Sequence, residues 1–316
     1  MSTEPAWPSP GGGGKGRVSS PRSKLGSLVD AAGLIPDGTR LALGGFAVYQ
    51  HPMALVRELV RQGRRDLTVV GHVNGNDVDL LAGAGCLRRV ESSYVGLEKY
   101  GLALNFRRRV EAGELLMVDY PEVASFDRFR ASRDGLTFWP CHYLGGTDIV
   151  THNAEIRAFD CPVTGRRLHA IPPADPDVVV IHAVAADERG NVVVPPRRLL
   201  PQSLDITMAG AADTVIVTVE SVLSRGDLRR HSRWVEIPSY RVAMVVHAPW
   251  GAHPCPVLGR YRGDDAHFRE YVAASTTPDA FAGYLRTYVT GPRDHWGYLD
   301  LLGAERLTRL QEIGTW

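Results

Sequence analysis

Two continuous apolar runs constrain the fold of this chain more than any other feature of its sequence. They are VVVIHAV (178–184) and TVIVTV (214–219), and both are rich in β-branched residues. Strands that face water on one side alternate apolar and polar residues, whereas strands of a parallel sheet are covered on both faces and stay apolar throughout. A third run, RVAMVVHAPWG (241–251), has the same character. We therefore predict that the second half of the chain supplies strands of a parallel sheet.

The first half alternates short apolar runs with amphipathic segments. Arg40–Leu43 and LTVV (67–70) are predicted strands, and each is followed by a glycine-containing loop. A helix is predicted after Pro52, where apolar residues recur at the 3.6-residue spacing, and another over DVDLLAGAG (77–85). Such alternation is typical of α/β proteins. We expect an open, mostly parallel sheet with flanking helices and right-handed crossovers.

Length and composition indicate one large folded domain. The chain has 316 residues, of which 44% are hydrophobic and 22% charged, and this is enough to bury a large core. Residues 1–22 include SPGGGGKG (9–16), are rich in Gly, Ser and Pro, and are predicted to form a flexible tail. No linker or fixed-period repeat interrupts the remainder, so residues 23–316 are interpreted as a single domain.

Charge and cysteine content exclude several functional classes. The 36 Lys and Arg residues nearly balance the 35 Asp and Glu residues, so we expect neither nucleic acid nor an anionic membrane as a partner. The four cysteines lack CxxC or CxxH spacing, which argues against a zinc site and favours a reducing, cytoplasmic compartment. No apolar run approaches the roughly 20 residues needed to cross a bilayer, and residues 1–22 lack the apolar region of a secretion signal.

Candidate site residues follow the predicted strands, because ligands of parallel α/β sheets bind beyond the carboxyl ends of strands. In GGFAVYQHP (44–52), the backbone amides of Gly44, Gly45 and Phe46 could face a phosphate or a developing oxyanion. The same glycines could instead form only a tight strand-to-helix turn. The segment has neither GxGxxG nor GxxxxGK[ST] spacing, so it predicts neither a dinucleotide fold nor a P-loop.

A second loop, GHVNGND (71–77), places several polar side chains together, beginning with His72. Asn74, Asn76 and Asp77 are candidates for substrate binding. Asp77 could also simply cap the helix predicted after it. The sequence leaves these two interpretations open.

Two glutamates are candidate catalytic carboxylates. Glu98 stands among apolar and aromatic neighbours, so it is either desolvated and functional or paired with a base such as Lys99 or Arg107. Glu122 directly follows the predicted strand LLMVDY and Pro121, which places it at the ligand edge of the sheet. There it is either a catalytic base or a carboxylate that stabilises a helix N-terminus.

The remaining motifs give no complete catalytic set. DERGN (187–191) is predicted to be a hairpin or loop turn, and His253 after the third run is interpreted as structural. No Ser/His/Asp or Cys/His set has a recognisable spacing, GxSxG is absent, and HAVAADE lacks the second histidine of a zinc motif. If the protein is an enzyme, it need not contain the whole active site.

Taken together, these motifs resemble family I CoA-transferases, and among them the alpha subunits of the glutaconate CoA-transferase type. The similarity extends from about Asp37 to about Leu302. It rests on blocks in a fixed order, which are GGFAVYQHPMALVRELVRQG, DVDLLAGAGCLRRVESSYVGLEKYGLALNFRR, DIVTHNAEIRAFDCPVTGRRLHAIPPADPDVVVIHAVAADERGNVVV, VIVTVESV and IPSYRVAMVVHAPWGAHP. Several blocks in order are more specific than any one of them.

The resemblance implies a fold of the CoA-transferase type and an active site shared with a separate beta subunit. In such enzymes a glutamate of the beta subunit forms a mixed anhydride and then a glutamyl-CoA thioester, with acyl-CoA and a carboxylic acid as substrates. No bound cofactor or metal is implied. This chain would supply the floor of the site through the Gly44–Phe46 amides, the 74–77 loop, Glu98 and Glu122. Its Gln50-His51-Pro52 departs from the family, where a basic residue commonly precedes the proline.

The resemblance leaves other activities open. Some members of the family hydrolyse a carbon–carbon bond in a cyclic CoA thioester, and others decarboxylate an acyl-CoA. In the ring-opening hydrolases the base is a glutamate of the alpha subunit, and Glu122 lies where that residue is expected. A non-catalytic module that senses a CoA ester or a sugar phosphate is a further alternative, because related folds bind such ligands in regulators. The chain lacks the basic patch and appended helices of a DNA-binding regulator.

Overall fold

The computed structural model describes residues 23–194 and 200–312, so the predicted tail, residues 1–22, lies outside the described part of the chain. Within that part there are fifteen strands. They are β1 (Leu25–Gly26), β2 (Arg40–Leu43), β3 (Leu67–Val70), β4 (Val73–Asn74), β5 (Leu87–Ser92), β6 (Tyr94–Val95), β7 (Leu116–Asp119), β8 (Trp139–Cys141), β9 (Arg157–Asp160), β10 (Arg167–Ile171), β11 (Val178–Asp187), β12 (Val192–Val193), β13 (Thr214–Leu223), β14 (Val235–Ile237) and β15 (Val242–His247).

Helices separate most of these strands. The α-helices of the described residues are α1 (Leu28–Gly33), α2 (Met53–Arg61), α3 (Asn76–Gly83), α4 (Leu104–Glu111), α5 (Glu122–Arg133), α6 (Ile149–His152), α7 (Leu200–Met208), α8 (Arg225–Arg230), α9 (Asp265–Ala274), α10 (Pro278–Leu285), α11 (His295–Leu302) and α12 (Ala304–Leu310). Short 3₁₀ turns cover Glu98–Tyr100, Ser232–Trp234 and Ser239–Arg241, and a π-helical turn, Arg286–Thr290, continues α10.

The main sheet is open and mostly parallel, as the apolar runs predict. Its strand order is β1-β15-β13-β11-β2-β3-β5-β7, and each neighbouring pair along this path is parallel. The long pair β11 and β13 begins its register at Val178 and Thr214. β12 returns antiparallel to β11 after residues 187–191, which confirms the predicted hairpin turn.

Alternate residues of β11 belong to two different cores, which explains why this strand is apolar apart from His182 and Asp187. Val178 and Val180 pack on one face with helices α1, α2 and α3 and with the carboxyl-terminal helices. Val179 and Ile181 pack on the other face with residues of α5 and α7. All ten residues of β11 are buried, as expected for a central strand covered on both faces.

A small antiparallel sheet, in the order β8-β10-β9, was not predicted from the sequence. Its strands are short and partly exposed, so residues 139–171 carry no long apolar run. It is covered by a third core that includes Ala124 of α5 and Ile171 of β10. In the described residues, no helix is both long enough and apolar enough to span a membrane.

Candidate active site

The sheet has a topological switch point between β2 and β11. From β2 the strands continue outward to β3, β5 and β7, and from β11 they continue to β13 and β15 in the opposite direction. Ligands of open α/β sheets bind beyond the carboxyl ends of the strands at such a point. Gly44 follows β2 directly there, so the structure places the predicted glycine loop at the expected edge.

Residues 44–50 form a tight turn at this edge, which we call the edge turn. The Phe46 amide donates to the Tyr49 carbonyl (2.9 Å), and the Tyr49 amide donates back to the Phe46 carbonyl (2.8 Å). Gly45 has a φ of 94°, and a Cβ at this position would lie 2.6 Å from the Tyr49 carbonyl oxygen. Glycine at position 45 is therefore required by both the backbone conformation and the available space.

The amides of Gly44, Gly45 and Phe46 are already engaged within the chain. Their acceptors, in the same order, are the Val180 carbonyl (2.8 Å), the Asp205 carboxylate (2.9 Å) and the Tyr49 carbonyl (2.9 Å). In this conformation the three amides are thus not free to bind an oxyanion, which corrects the role expected from the sequence. They could do so only by exchanging these partners. These hydrogen bonds fix the backbone conformation of the edge turn, and that conformation is what the turn contributes to the sheet edge.

Asp205 of α7 supports the edge turn from inside the protein. A Cβ at Gly44 would lie 2.5 Å from Asp205 Oδ1, so this close approach depends on glycine. Burial raises the pKa of the Asp205 carboxyl to about 7, and the hydrogen bond from the Gly45 amide offsets only part of that effect. Sequence analysis missed Asp205, because nothing in the local pattern of α7 distinguishes it from a helix-surface acid.

His51 contacts the start and the middle of the edge turn. Its Nδ1 lies 2.7 Å from the Gly44 carbonyl oxygen, and its Nε2 lies 2.8 Å from the Ala47 carbonyl oxygen. Carbonyl oxygens only accept, so both hydrogen bonds form only when both ring nitrogens carry a proton. Asp77 Oδ2 lies 3.3 Å from Nδ1, and both side chains are fully buried. His51, Asp77 and Asp205 are together called the turn clamp.

The predicted substrate-binding side chains of the 71–77 loop point into the protein. Asn74 donates to Asp77 Oδ2 (2.8 Å), and the Gly75 amide donates to Asp77 Oδ1 (2.7 Å). Asn76 accepts a hydrogen bond from the Cys255 thiol (3.1 Å). Asn74, Asn76 and Asp77 are at most 2% exposed. The geometry therefore favours a supporting role for them over the direct substrate contact expected from the sequence.

Glu98 lies at the rim of a cleft of about 450 Å³ that Tyr49 of the edge turn also lines. Its side chain is exposed, and within the described residues its carboxylate has no ion pair or hydrogen bond. Lys99 pairs with Asp265, and Arg107 pairs with Glu111, so neither of the two bases considered as partners pairs with Glu98. The alternative of a desolvated carboxylate is also wrong. Glu98 has a φ of 52°, a conformation that non-glycine residues rarely adopt.

Glu122 is the first residue of α5 and lies just beyond the carboxyl end of β7, as predicted. Its side chain is exposed, and its backbone carbonyl faces the imidazole of His72. The His72 ring lies between Phe46 and Phe126, with ring centroids 5.8 Å and 5.9 Å away. The structure thus joins the edge turn, the 71–77 loop and α5 in one wall.

His72 is the polar group of that wall. It is 5% exposed, and its Nδ1 has no hydrogen-bond partner among the described residues. Burial lowers the pKa of His72 to about 4, so the ring is neutral near pH 7. Sequence analysis placed His72 in the 71–77 loop but predicted no role for it, because its aromatic neighbours come from segments far apart in the chain.

A second buried network lies behind the edge turn on the β11 side. Gln50 donates to the His182 carbonyl (2.9 Å), and His182 Nε2 lies 2.7 Å from Glu220 Oε1. Tyr261 also donates to Glu220 (2.7 Å). Burial alone would raise the pKa of Glu220, but the hydrogen bonds from His182, Tyr261 and Trp250 lower it overall. The only sequence signal for this network is a histidine and a glutamate within otherwise apolar strands.

Among residues 23–194 and 200–312, no three His, Cys, Asp or Glu side chains are grouped as metal ligands. A family model for coenzyme A transferases matches residues 26–248, which is more than half of the chain. The chain belongs to the coenzyme A transferase family. The matched region contains the edge turn, the turn clamp, Glu98 and Glu122.

Individual relatives agree with this assignment. The chain is 33% identical over 309 residues to the alpha-type subunit of glutaconate CoA-transferase from Acidaminococcus fermentans, covering 92% of this chain and 95% of that protein. The crystal structure of that organism's glutaconate CoA-transferase superposes with a TM-score of 0.88 at 32% identity, covering 92% of this chain and 96% of the other.

Two further matches broaden the family. The decarboxylase AibA/AibB has a TM-score of 0.73 at 33% identity, covering 84% of this chain and all of the matched chain (100%). An Archaeoglobus fulgidus protein is 35% identical over 282 residues, which is 88% of this chain but only 62% of that longer protein. The superposition on the glutaconate CoA-transferase structure confirms the α/β fold of the CoA-transferase type that the sequence predicts.

Proposed function

We propose that this chain is the alpha subunit of a heteromeric CoA-transferase, which moves CoA between an acyl-CoA and a free carboxylic acid. The observation that carries the proposal is the switch-point edge. A rigid edge turn and an apolar wall stand there beside exposed carboxylates, while the buried polar groups behind them are engaged in the turn clamp. Such an edge forms one side of an active site. The nucleophilic glutamate then comes from the beta subunit.

The chemistry proceeds by covalent catalysis on a glutamate of the beta subunit. That carboxylate attacks the thioester carbonyl of acyl-CoA, which releases CoA thiolate and leaves a mixed anhydride. The thiolate then attacks the glutamyl carbonyl, which releases the free acid and forms a glutamyl-CoA thioester. A second acid reverses these two steps and leaves as the new acyl-CoA. Each exchange is easier than direct transfer and avoids hydrolysis of the thioester.

This chain contributes shape and exclusion of water. Phe46, His72 and Phe126 form an apolar wall with one neutral polar group, and Glu122 stands at its rim. Excluding water protects both the anhydride and the thioester, since either would hydrolyse. The His72 ring is neutral near pH 7, so the wall brings no charge next to a bound acyl group.

Decarboxylation or ring-opening hydrolysis is the second candidate function. It is favoured by Glu122, an exposed carboxylate at the sheet edge, and by the similarity to the decarboxylase AibA/AibB. In ring-opening hydrolysis Glu122 acts as the general base, whereas in decarboxylation, where no proton is removed, its protonated form donates the proton that replaces CO2. The two functions differ in which of the two chains carries the reacting carboxylate.

Trapping of the covalent intermediate tests the proposal. The chain is co-expressed with its beta subunit, incubated with acyl-CoA, treated with borohydride and digested for mass spectrometry. We expect a reduced glutamate in the beta subunit, with none in this chain. Modification at Glu98 or Glu122 would overturn the proposed division of labour, and binding of acyl-CoA without any turnover would instead favour a sensing module.

A further inference from the structure

A second cleft lies beyond the carboxyl ends of β11 and β13, between the hairpin turn at residues 187–191 and helix α8. Its volume is about 790 Å³, within the range of roughly 300–1,000 Å³ that is usual for small-molecule sites. The turn begins at Asp187, five residues past His182, which is about 16 Å along the strand. The cleft is therefore separate from the edge turn.

Three arginines line this cleft without carboxylate partners in the described part of the chain. Arg225 and Arg229 are four residues apart on α8, so they lie on one face of the helix, and Arg189 projects from the hairpin turn. Arg230, the next residue on α8, does not line the cleft and pairs with Asp227 instead. The pairing of Arg230 shows that α8 offers an acidic partner, which the cleft arginines do not use.

The acidic groups of the cleft, Asp187 and Glu188, cancel only part of this charge. The Asp187 carboxylate accepts hydrogen bonds from the Arg189 amide (3.0 Å), the Asn191 amide (2.8 Å) and the Asn191 side chain (2.9 Å). These hydrogen bonds hold the Asp187 carboxylate within the hairpin turn. Glu188 is the one other acid that lines the cleft, and it is exposed. Three arginines thus outnumber the two carboxylates among the described lining residues, so the cleft keeps a net positive formal charge.

The floor of the cleft is apolar. It is formed by residues of β1, β13, α8 and β14, which are Leu25, Val222, Leu223, Leu228 and Val235. A ligand that fits has an anionic part for the arginines and a flat apolar part for this floor. Residues 1–22 precede Leu25, but they contain one acidic residue, Glu4, against Lys15, Arg17 and Arg22, so they do not supply the anion.

We propose that this cleft binds a phosphate-bearing ligand of nucleotide size. Guanidinium groups match phosphate oxygens in pairs, and several arginines around one cleft suit a group with more than one negative charge. The apolar floor accommodates the base. The phosphate belongs either to the nucleotide end of CoA or to a free nucleotide. In the first case the inference rests on the proposed function, because CoA is then the substrate of the transfer reaction, and in the second case it is independent of that function.

Calorimetric titration of the full chain, alone and with its beta subunit, tests the proposal. The probes are ADP, CoA and, as the ligand without phosphate, adenosine. The test variant is R225Q/R229Q, and the matched control is Arg230→Gln on the same helix. We expect the affinity for ADP to fall at least tenfold in R225Q/R229Q and less than twofold in the control, with no such difference for adenosine.

The outcomes separate the sources of the phosphate. Weaker binding of both ADP and CoA, with ADP competing against CoA, assigns the cleft to the nucleotide end of CoA. Weaker ADP binding with unchanged CoA binding assigns it to a free nucleotide. The proposal is overturned if wild type binds neither ligand at millimolar concentration or if R225Q/R229Q binds both as the control does. If R225Q/R229Q no longer co-elutes with the beta subunit but keeps its nucleotide affinity, the proposal is also overturned, since the cleft would then dock an acidic protein surface.

Discussion

Two buried carboxyl groups differ strongly in the number of partners that bind them. One is Glu91 of β5, and the other is Asp205 at the sheet edge. Glu91 of β5 forms ion pairs with Arg40 (2.7 Å), Arg89 (2.7 Å) and Arg128 (2.6 Å). These four residues are called the arginine cluster. At the edge, the Asp205 carboxylate of the turn clamp accepts one hydrogen bond within the described residues, from the Gly45 amide.

The pKa values of the two carboxyl groups record this difference. Burial raises the pKa of Glu91, but the Arg40 and Arg128 guanidinium groups outweigh it and lower the pKa to about 2. For Asp205 burial prevails, and the pKa rises to about 7. The arginine cluster ties β2, β5 and α5 together and thus serves stability. The turn clamp leaves a carboxyl poorly satisfied in order to hold one backbone turn, which is typical of functional sites.

The largest expected effect is loss of stability when the arginine cluster is broken. Glu91→Ala leaves Arg128 buried without its carboxylate, and removing one partner of a buried pair typically costs about 3–5 kcal/mol. The control is Glu111→Ala, whose exposed pair with Arg107 should contribute less than about 1 kcal/mol. Urea unfolding of both variants measures the difference, and equal midpoints would show that the cluster does not stabilise the fold.

Acid should weaken the arginine cluster and the apolar wall around His72 in separate pH windows. Glu91 stabilises the folded state fully above its unfolded pKa of 4.5, and this is lost as the pH falls towards 2. His72 is neutral in the fold, so its contribution is full above pH 6.5 and is lost as the pH falls towards 4. Each shift corresponds to about 3 kcal/mol.

Unfolding free energies measured against pH would separate these windows. His72→Gln should flatten part of the slope between pH 6.5 and 4, where buried His253 also contributes, and Glu91→Gln should flatten the slope between pH 4.5 and 2. A wild-type slope in both variants would contradict the assignment.

Loosening the turn clamp should lower activity about ten- to a hundredfold. His51→Gln can keep only one of the two bonds to the edge turn, and a small displacement of a positioned group slows catalysis strongly. We expect kcat of the co-expressed complex to fall while KM changes little. His231→Gln, at the end of α8, is the control. An equal kcat in the two variants would mean that the clamp has no part in positioning.

Glu122→Gln should have a smaller effect if the reaction is transfer. A rim carboxylate that only shapes the site should cost less than about tenfold in kcat, whereas loss of a general base costs about a hundredfold or more. Glu98→Gln is the matched rim variant, since both side chains are exposed. Steady-state kinetics decide between the functions, and a hundredfold loss confined to Glu122→Gln would favour decarboxylation or hydrolysis.

The smallest expected effect is that of Asp205→Asn. Asparagine keeps an oxygen that accepts from the Gly45 amide and removes only the ionisation, so the edge turn should stay in place. We expect less than about a threefold change in kcat at pH 6, where the carboxyl is already mostly protonated. A tenfold loss at pH 6 would show that the ionised carboxylate is needed.

Much of the fold could be predicted from the sequence, because the relevant signals are local. The apolar runs of β11 and β13 record burial on both faces, and the DERGN segment carries its own turn chemistry. The place of Glu122 followed from its strand and the proline after it. The small antiparallel sheet was missed because its short, half-exposed strands have no such periodicity.

The chemistry of the edge was decided by tertiary structure. The sequence selected Gly44, Gly45 and Phe46, but whether the Gly45 amide is free depends on Asp205, 160 residues further along the chain. Likewise, the roles of His51 and His72 depend on carbonyl groups and rings that only folding brings near them. Periodicity reports which side of an element is buried. It carries no information on which buried polar groups meet, because that is set by the packing of distant segments.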